Sequence, residues 1–182
     1  MLSENDKQSI RQLVKEEFVK SNTPLLKQSD FLPRLIKPRH NETVFANMYA
    51  YQAAVVVTVA AADTWYEVTS GLTEGLSDGV DIQNGYQHKL RYGGKYLVMW
   101  ELSMSSGTAN DELMGAVGVN GTVETSSAGQ TTVANANAKS GTSNAVILDL
   151  SAGDLISLFV HNETFARDVT IEHASCNVLR IG

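Results

Sequence analysis

Asn144-Ala-Val-Ile-Leu-Asp-Leu-Ser-Ala-Gly-Asp-Leu-Ile-Ser-Leu-Phe-Val160 consists of two short apolar runs joined by Ser151-Ala-Gly-Asp154. The joint has hairpin chemistry: Gly153 can take a positive φ, and Asp154 can bond its own backbone. Neither run alternates cleanly. Val146, Ile147 and Leu148 are consecutive, as are Leu155 and Ile156, then Leu158, Phe159 and Val160. A hairpin with one wet face shows polar residues at every second position, so both faces of these strands should be covered. An opposing sheet supplies one cover. A second copy of the chain is expected to supply the other, because no spare helices are visible in the rest of the sequence.

Working outward, the texture from Asn41 to Gly182 is all-β. Val55-Val-Val-Thr-Val59 and Thr64-Trp-Tyr-Glu-Val-Thr69 read as strands, followed by a stretch rich in glycine turns. Tyr86–Tyr92 leads through Gly93-Gly94 into Lys95–Met104. There Tyr96, Val98, Trp100, Leu102 and Met104 share one face, which must be a core face. The opposite face carries Lys95, Leu97, Met99, Glu101 and Ser103, apolar in the middle and polar at its ends. Leu113–Val119 ends in Asn120-Gly121, Thr131–Asn135 is a further strand, and Arg167–Ile181 closes the chain. Eight to ten short strands without interleaved helices predict a two-sheet antiparallel jelly-roll sandwich over residues 41–182.

Residues 1–40 differ. Ser3–Lys20 is the one convincing helix, with Ser3 as cap and Ile10, Leu13, Val14 and Phe18 on one face. In Ser21–His40 lie all three prolines, Pro24, Pro33 and Pro38, which deny it helix and central strand. Between them stand Leu25-Leu26, Phe31-Leu32 and Leu35-Ile36, beside the basic Arg34, Lys37 and Arg39. An extended arm that lays these pairs on a surface accounts for the pattern. That surface is either another protein or the chain's own domain.

Composition narrows the function. A net charge of −6 without a basic face argues against nucleic acid. The N-terminal residues carry no apolar signal core, and no run approaches membrane-spanning length, so synthesis in a cytosol and no membrane partner are expected. One cysteine, Cys176, excludes an intrachain disulfide framework and has no companion marking a nucleophile. His40, His88, His161 and His173 have no zinc-like spacing, and no Gly-x-Ser-x-Gly elbow or phosphate-binding loop occurs. Asp78, Asp81 and Asn84 could offer oxygens to a calcium ion, but they read better as turn residues. No catalytic site, metal or cofactor is expected.

Three segments together resemble the jelly rolls of the tumour necrosis factor and complement-globular-head families. They are Gly93-Gly-Lys-Tyr-Leu-Val-Met-Trp100, Asp111-Glu-Leu-Met-Gly-Ala-Val-Gly-Val-Asn-Gly121 and Leu148-Asp-Leu-Ser-Ala-Gly-Asp-Leu-Ile-Ser-Leu158. The likeness runs from about residue 50 to the end of the chain. It implies a ten-stranded jelly roll that forms a threefold trimer. Leu97, Met99, Ile147, Leu158 and Val160 are the interface residues expected, from the apolarity on both faces of Ala145–Leu150 and Leu155–Val160 together with Leu97 and Met99. The match is nearest to the versions in tailed-phage virion proteins, where a helix and proline-rich arm precede a trimeric knob. The expectation is a non-enzymatic structural virion protein, a head fibre or capsid decoration protein made in the host cytoplasm. Its helix and arm would anchor it to other virion proteins. The alternative is a tail-fibre or spike tip for a host receptor or surface glycan, which would need an exposed aromatic cluster drawn from Tyr51, Trp65, Tyr66, Tyr86 and Tyr92.

Overall fold

In the computed structural model residues 43–182 are described. The expected helix Ser3–Lys20, the arm Ser21–His40 and the boundary after His40 lie outside the described residues. Twelve strands follow: β1 Phe45–Val57, β2 Tyr66–Glu67, β3 Thr73–Asp78, β4 Val80–Gln83, β5 Gln87–Leu90, β6 Gly94–Ser105, β7 Glu112–Val119, β8 Thr122–Val123, β9 Gly129–Thr132, β10 Ser140–Leu150, β11 Leu155–Asn162 and β12 Val169–Arg180. They form two antiparallel sheets in jelly-roll order. The first runs β10-β6-β12-β1-β3. The second runs β4-β5-β11-β7-β8, with β2 also pairing β11 and β9 pairing β7.

Strand β6 carries the core as its alternation predicts. Tyr96, Val98, Trp100, Leu102 and Met104 are all buried between the sheets, against Leu113, Val117, Ile156, Leu158 and Val160 from the second sheet. Each side chain there removes about 1.5–3 kcal/mol worth of apolar surface from water. Trp100 also satisfies its one donor, giving Nε1–H to the Ser127 carbonyl at 3.0 Å. Gly115 makes room for that indole, since a Cβ there would stand 2.6 Å from the Trp100 ring.

The stretch Asn144–Val160 is corrected in one respect. Its turn chemistry is as expected: Gly153 has φ +94°, and Ser151 N–H donates to Asp154 Oδ2 at 2.8 Å. The two runs, however, are not a hairpin. β10 pairs only with β6 in the first sheet, whereas β11 pairs with β7, β5 and β2 in the second. Ser151–Asp154 is thus a crossover between sheets, tied to β5 where Gly153 N–H donates to the Leu90 carbonyl at 2.7 Å. Turn residues specify how the chain reverses; which strand it meets afterwards depends on distant residues.

The turn-rich stretch after Thr69 contains β3 and β4, and β9 sits two residues earlier than expected. β1 begins ten residues before Val55. Its alternation is broken by a bulge at Gln52–Ala54, where Gln52 and Ala54 take positive φ.

Candidate functional site

The first sheet presents an outer face built from side chains that alternate with the core. Four cross-strand rows span it. Phe45, Leu179, Leu97 and Ile147 stand in register across β1, β12, β6 and β10, an apolar row at the end where β1 begins. Asn47, Asn177, Met99 and Ala145 form the next row, in which Asn47 Nδ2–H donates to Asn177 Oδ1 at 2.7 Å. Tyr49, Ser175, Glu101 and Ser143 follow, then Tyr51, His173, Ser103 and Gly141. Between the second and third rows lies an open depression of about 460 Å³ over Met99, Glu101, Ser143, Ala145 and Ser175.

Apolar exposure concentrates on this face. Ile147 is 60% exposed, Met99 38% and Tyr51 70%, with Tyr49 and Val56 also exposed there. Among the described residues, five of the eight exposed large hydrophobic side chains thus share one surface. These exposed apolar side chains share the face with the polar rows of Asn47 and Asn177 and of Ser175, Glu101 and Ser143, and they leave hydrocarbon against water there. The alternation in Phe45-Ala-Asn-Met-Tyr-Ala-Tyr51, with bulky residues at every second position, was the available signal for the β1 part of it.

Among the five residues expected at a subunit interface, Leu97, Met99 and Ile147 come together on this face. Leu158 and Val160 do not. Both point into the sandwich core of a single chain and have no accessible surface there, so no neighbouring copy could touch them. The second cover of β11 comes from the chain itself. Ser157 Oγ–H donates to Glu67, Trp65 lies against His161 with ring centroids 5.0 Å apart, and Phe159 rests on Gly118. The ten expected anchor residues, from Ile10 to Ile36, lie outside the described residues.

The remaining chemistry is structural. Cys176 is fully buried, and burial pushes its thiol up to about 12, so it carries no thiolate. His88 is buried with neither ring nitrogen hydrogen-bonded, and desolvation lowers it to about 4. His161 is lowered too, by desolvation, against the opposing pull of Asp63 and Glu163. Its Nε2 stands 3.4 Å from Asp63 Oδ1. Asp81 is clasped by Arg91, whose Nε donates to both carboxylate oxygens at 3.0 Å, and this holds Asp81 below the usual carboxylate range. Among the described residues no three His, Cys, Asp or Glu side chains gather as metal ligands would. The aromatic candidates for glycan binding are dispersed. Tyr51 leans on His173, Trp65 on His161, Tyr66 and Tyr92 pack against the core, and Tyr86 is on the β4–β5 turn.

No protein-family model matches the chain, and no curated protein matches it in sequence. Solved structures do. Eiger TNF from S. frugiperda superposes with a TM-score of 0.57 at 13% identity, over 77% of this chain and 93% of that one. The fold is a TNF- and complement-head-like jelly roll. The globular domain of zebrafish complement 1qA matches at TM-score 0.53 and 11% identity, over 76% of this chain and 98% of that one. Murine APRIL at pH 8.0 matches at 0.52 and 14%, over 77% of this chain and all of that one. At such identities the likeness extends to the backbone architecture and not to the residues of any site.

Proposed function

We propose that this chain is a non-enzymatic structural virion protein of a tailed bacteriophage. Its jelly roll would be a homotrimeric knob held on the capsid surface by residues 1–40, as a decoration protein or head fibre. The observation that carries the assembly is the outer face of β10-β6-β12-β1. Its row of Phe45, Leu179, Leu97 and Ile147 and the exposed Met99 and Tyr51 would be hidden from water by neighbouring copies. Glu101 and the Asn47–Asn177 pair would give that contact its register. The virion attachment rests on the sequence of residues 1–40, where Leu25-Leu26, Phe31-Leu32 and Leu35-Ile36 alternate with prolines that limit the arm's entropy loss on docking.

Light scattering on residues 41–182 tests the assembly, and a stable monomer at micromolar concentration would refute it. Particles lacking the native protein test the attachment. A knob without residues 1–38 should stay trimeric and fail to bind them, whereas normal binding would place attachment in the jelly roll. The dispersal of the aromatic side chains makes a glycan-binding tip the weaker reading.

A further inference from the structure

Two Asn-Gly pairs occupy turns of the same kind. Asn84-Gly85, with φ of +56° and +77°, begins the β4–β5 turn that Tyr86 completes, and Asn120-Gly121, with φ of +52° and +80°, joins β7 to β8. Both are the primed turns that Asn-Gly favours. Their surroundings differ. Asn120 is pinned to the β10–β11 crossover three ways: its N–H donates to the Leu155 carbonyl at 2.8 Å, its Nδ2 to Asp154 Oδ1 at 2.9 Å, and its Oδ1 accepts from Leu155 N–H at 2.9 Å. The Asn84 side chain makes one hydrogen bond, from Nδ2 to Gln87 Oε1 at 3.1 Å, within its own hairpin. Both hairpins sit at a sheet edge, since β4 pairs only with β5 and β8 only with β7. Both pairs are exposed, and a Cβ at Gly85 or at Gly121 would meet nothing, so the anchoring bonds are what distinguish the two turns.

We infer that Asn84 is a site of spontaneous succinimide-forming modification and that Asn120 is protected from it. The Gly85 backbone nitrogen loses its proton to solvent base and attacks the Asn84 side-chain carbon. The new C–N bond closes a five-membered ring as the bond to Nδ2 breaks and ammonia leaves. Water then opens the ring at either carbonyl, leaving aspartate or isoaspartate, without any redox change. The turn must leave its resting geometry for the nitrogen to reach that carbon. Local opening is easiest at an exposed edge hairpin with few anchoring bonds. At Asn120 three bonds to Asp154 and Leu155, where the crossover enters β11, must break together.

The modification reaches beyond the turn. Asn84 donates to Gln87 Oε1, Gln87 Nε2–H donates to Glu67 Oε1 at 3.0 Å, and Ser157 Oγ–H donates to the same oxygen. Conversion of Asn84 to a carboxylate replaces the donor at the head of this relay with an acceptor facing an acceptor. The bridge from the β4–β5 hairpin to β2 and β11 then loosens.

The test incubates the full chain, folded, in mildly alkaline buffer and quantifies aspartate and isoaspartate at both sites by peptide mapping. A urea-unfolded sample supplies the reference in which both pairs react alike. In the folded chain Asn84 should convert about tenfold or more faster than Asn120, the factor a modest difference in opening free energy produces. Asp154→Ala should raise the rate at Asn120 and leave Asn84 unchanged. Asn84→Asp should speed amide exchange in β4 and β5 ahead of the rest of the second sheet. Equal rates in the folded chain, faster reaction at Asn120, or no reaction at Asn84 while the unfolded chain reacts would each overturn the inference.

Discussion

Leu97 stands directly opposite Ile147 across β6 and β10 and opposite Leu179 across β12, and all three point away from the core. Cross-strand apolar pairs stabilise a sheet, but a row of them on an outward face leaves water against hydrocarbon until something covers it. In the proposed trimer, Ile147→Asp should therefore separate subunits without unfolding them. In a monomer the substitution forfeits about 1 kcal/mol of strand preference. In an assembly it buries a carboxylate once per subunit, at several kcal/mol each (about 3–5 for an unpaired charge). Light scattering and circular dichroism together check this: a shift to monomer with an unchanged spectrum is the expected result.

Leu158 gives the contrasting outcome. It has no accessible surface in a single chain, between Val117 across the strand pair and the β6 side chains across the core. Leu158→Ala should lower the unfolding free energy of the monomer and any assembly alike, by about 2–5 kcal/mol as buried truncations do. A urea titration on a chain already made monomeric by Ile147→Asp isolates this effect from association.

What was legible in the sequence follows from range. β6 could be read because Tyr96 to Met104 alternate without interruption, a local period that packing reinforced. The Ser151–Asp154 reversal could be read from its glycine and aspartate. The destination of β11 could not, because its partners Leu113–Val119 and Tyr66-Glu67 are remote in sequence. Its two-sided apolarity correctly indicated two covers, yet one of them is Trp65, Glu67 and Gly118 of the same chain. On the outer face, Leu97, Met99 and Ile147 were visible beside their own alternating core residues. Phe45 and Tyr49 alternate in phase before the bulge at Gln52–Ala54, but that bulge separates them from Val55–Val57, the part of β1 whose β-branched run reads as a strand.

His88 should make the fold sensitive to acid. Its folded-state pKa of about 4 lies below the ordinary 6.5 because burial disfavours the imidazolium and no ring nitrogen has a partner. Between those values the unfolded chain binds a proton that the folded chain does not, so stability rises with pH across the window. The contribution is whole above pH 6.5 and is lost as pH falls from 6.5 towards 4, by about 3 kcal/mol at most. His161 is displaced in the same direction. His88→Leu removes the titration and should flatten denaturant midpoints over that range, while His161 leaves a residual slope.

The polar counterpart of the core lies where β11 ends. Asp111 is fully buried at the start of β7, and three side chains answer its carboxylate. Ser106 Oγ–H donates to Oδ2 at 2.8 Å, Asn162 Nδ2–H donates to Oδ2 at 3.2 Å, and Arg167 Nη1–H donates to Oδ1 at 2.9 Å. Arg167 also lies over the Phe165 ring, 4.3 Å from its centroid. The network gathers the ends of β6, β7 and β11 and the approach to β12 around one charge. Removing the cation leaves that charge without its ion partner. Arg167→Leu should destabilise the domain by about 1–3 kcal/mol, because Asp111 is buried but Arg167 is partly exposed and Ser106 and Asn162 still donate to the carboxylate. Asp111→Asn combined with Arg167→Leu removes both charges and keeps an acceptor for Ser106, so it should recover part of the loss. Urea midpoints for the two single variants and the double variant measure the coupling. Strict additivity would mean that the Asp111–Arg167 contact contributes nothing to the fold.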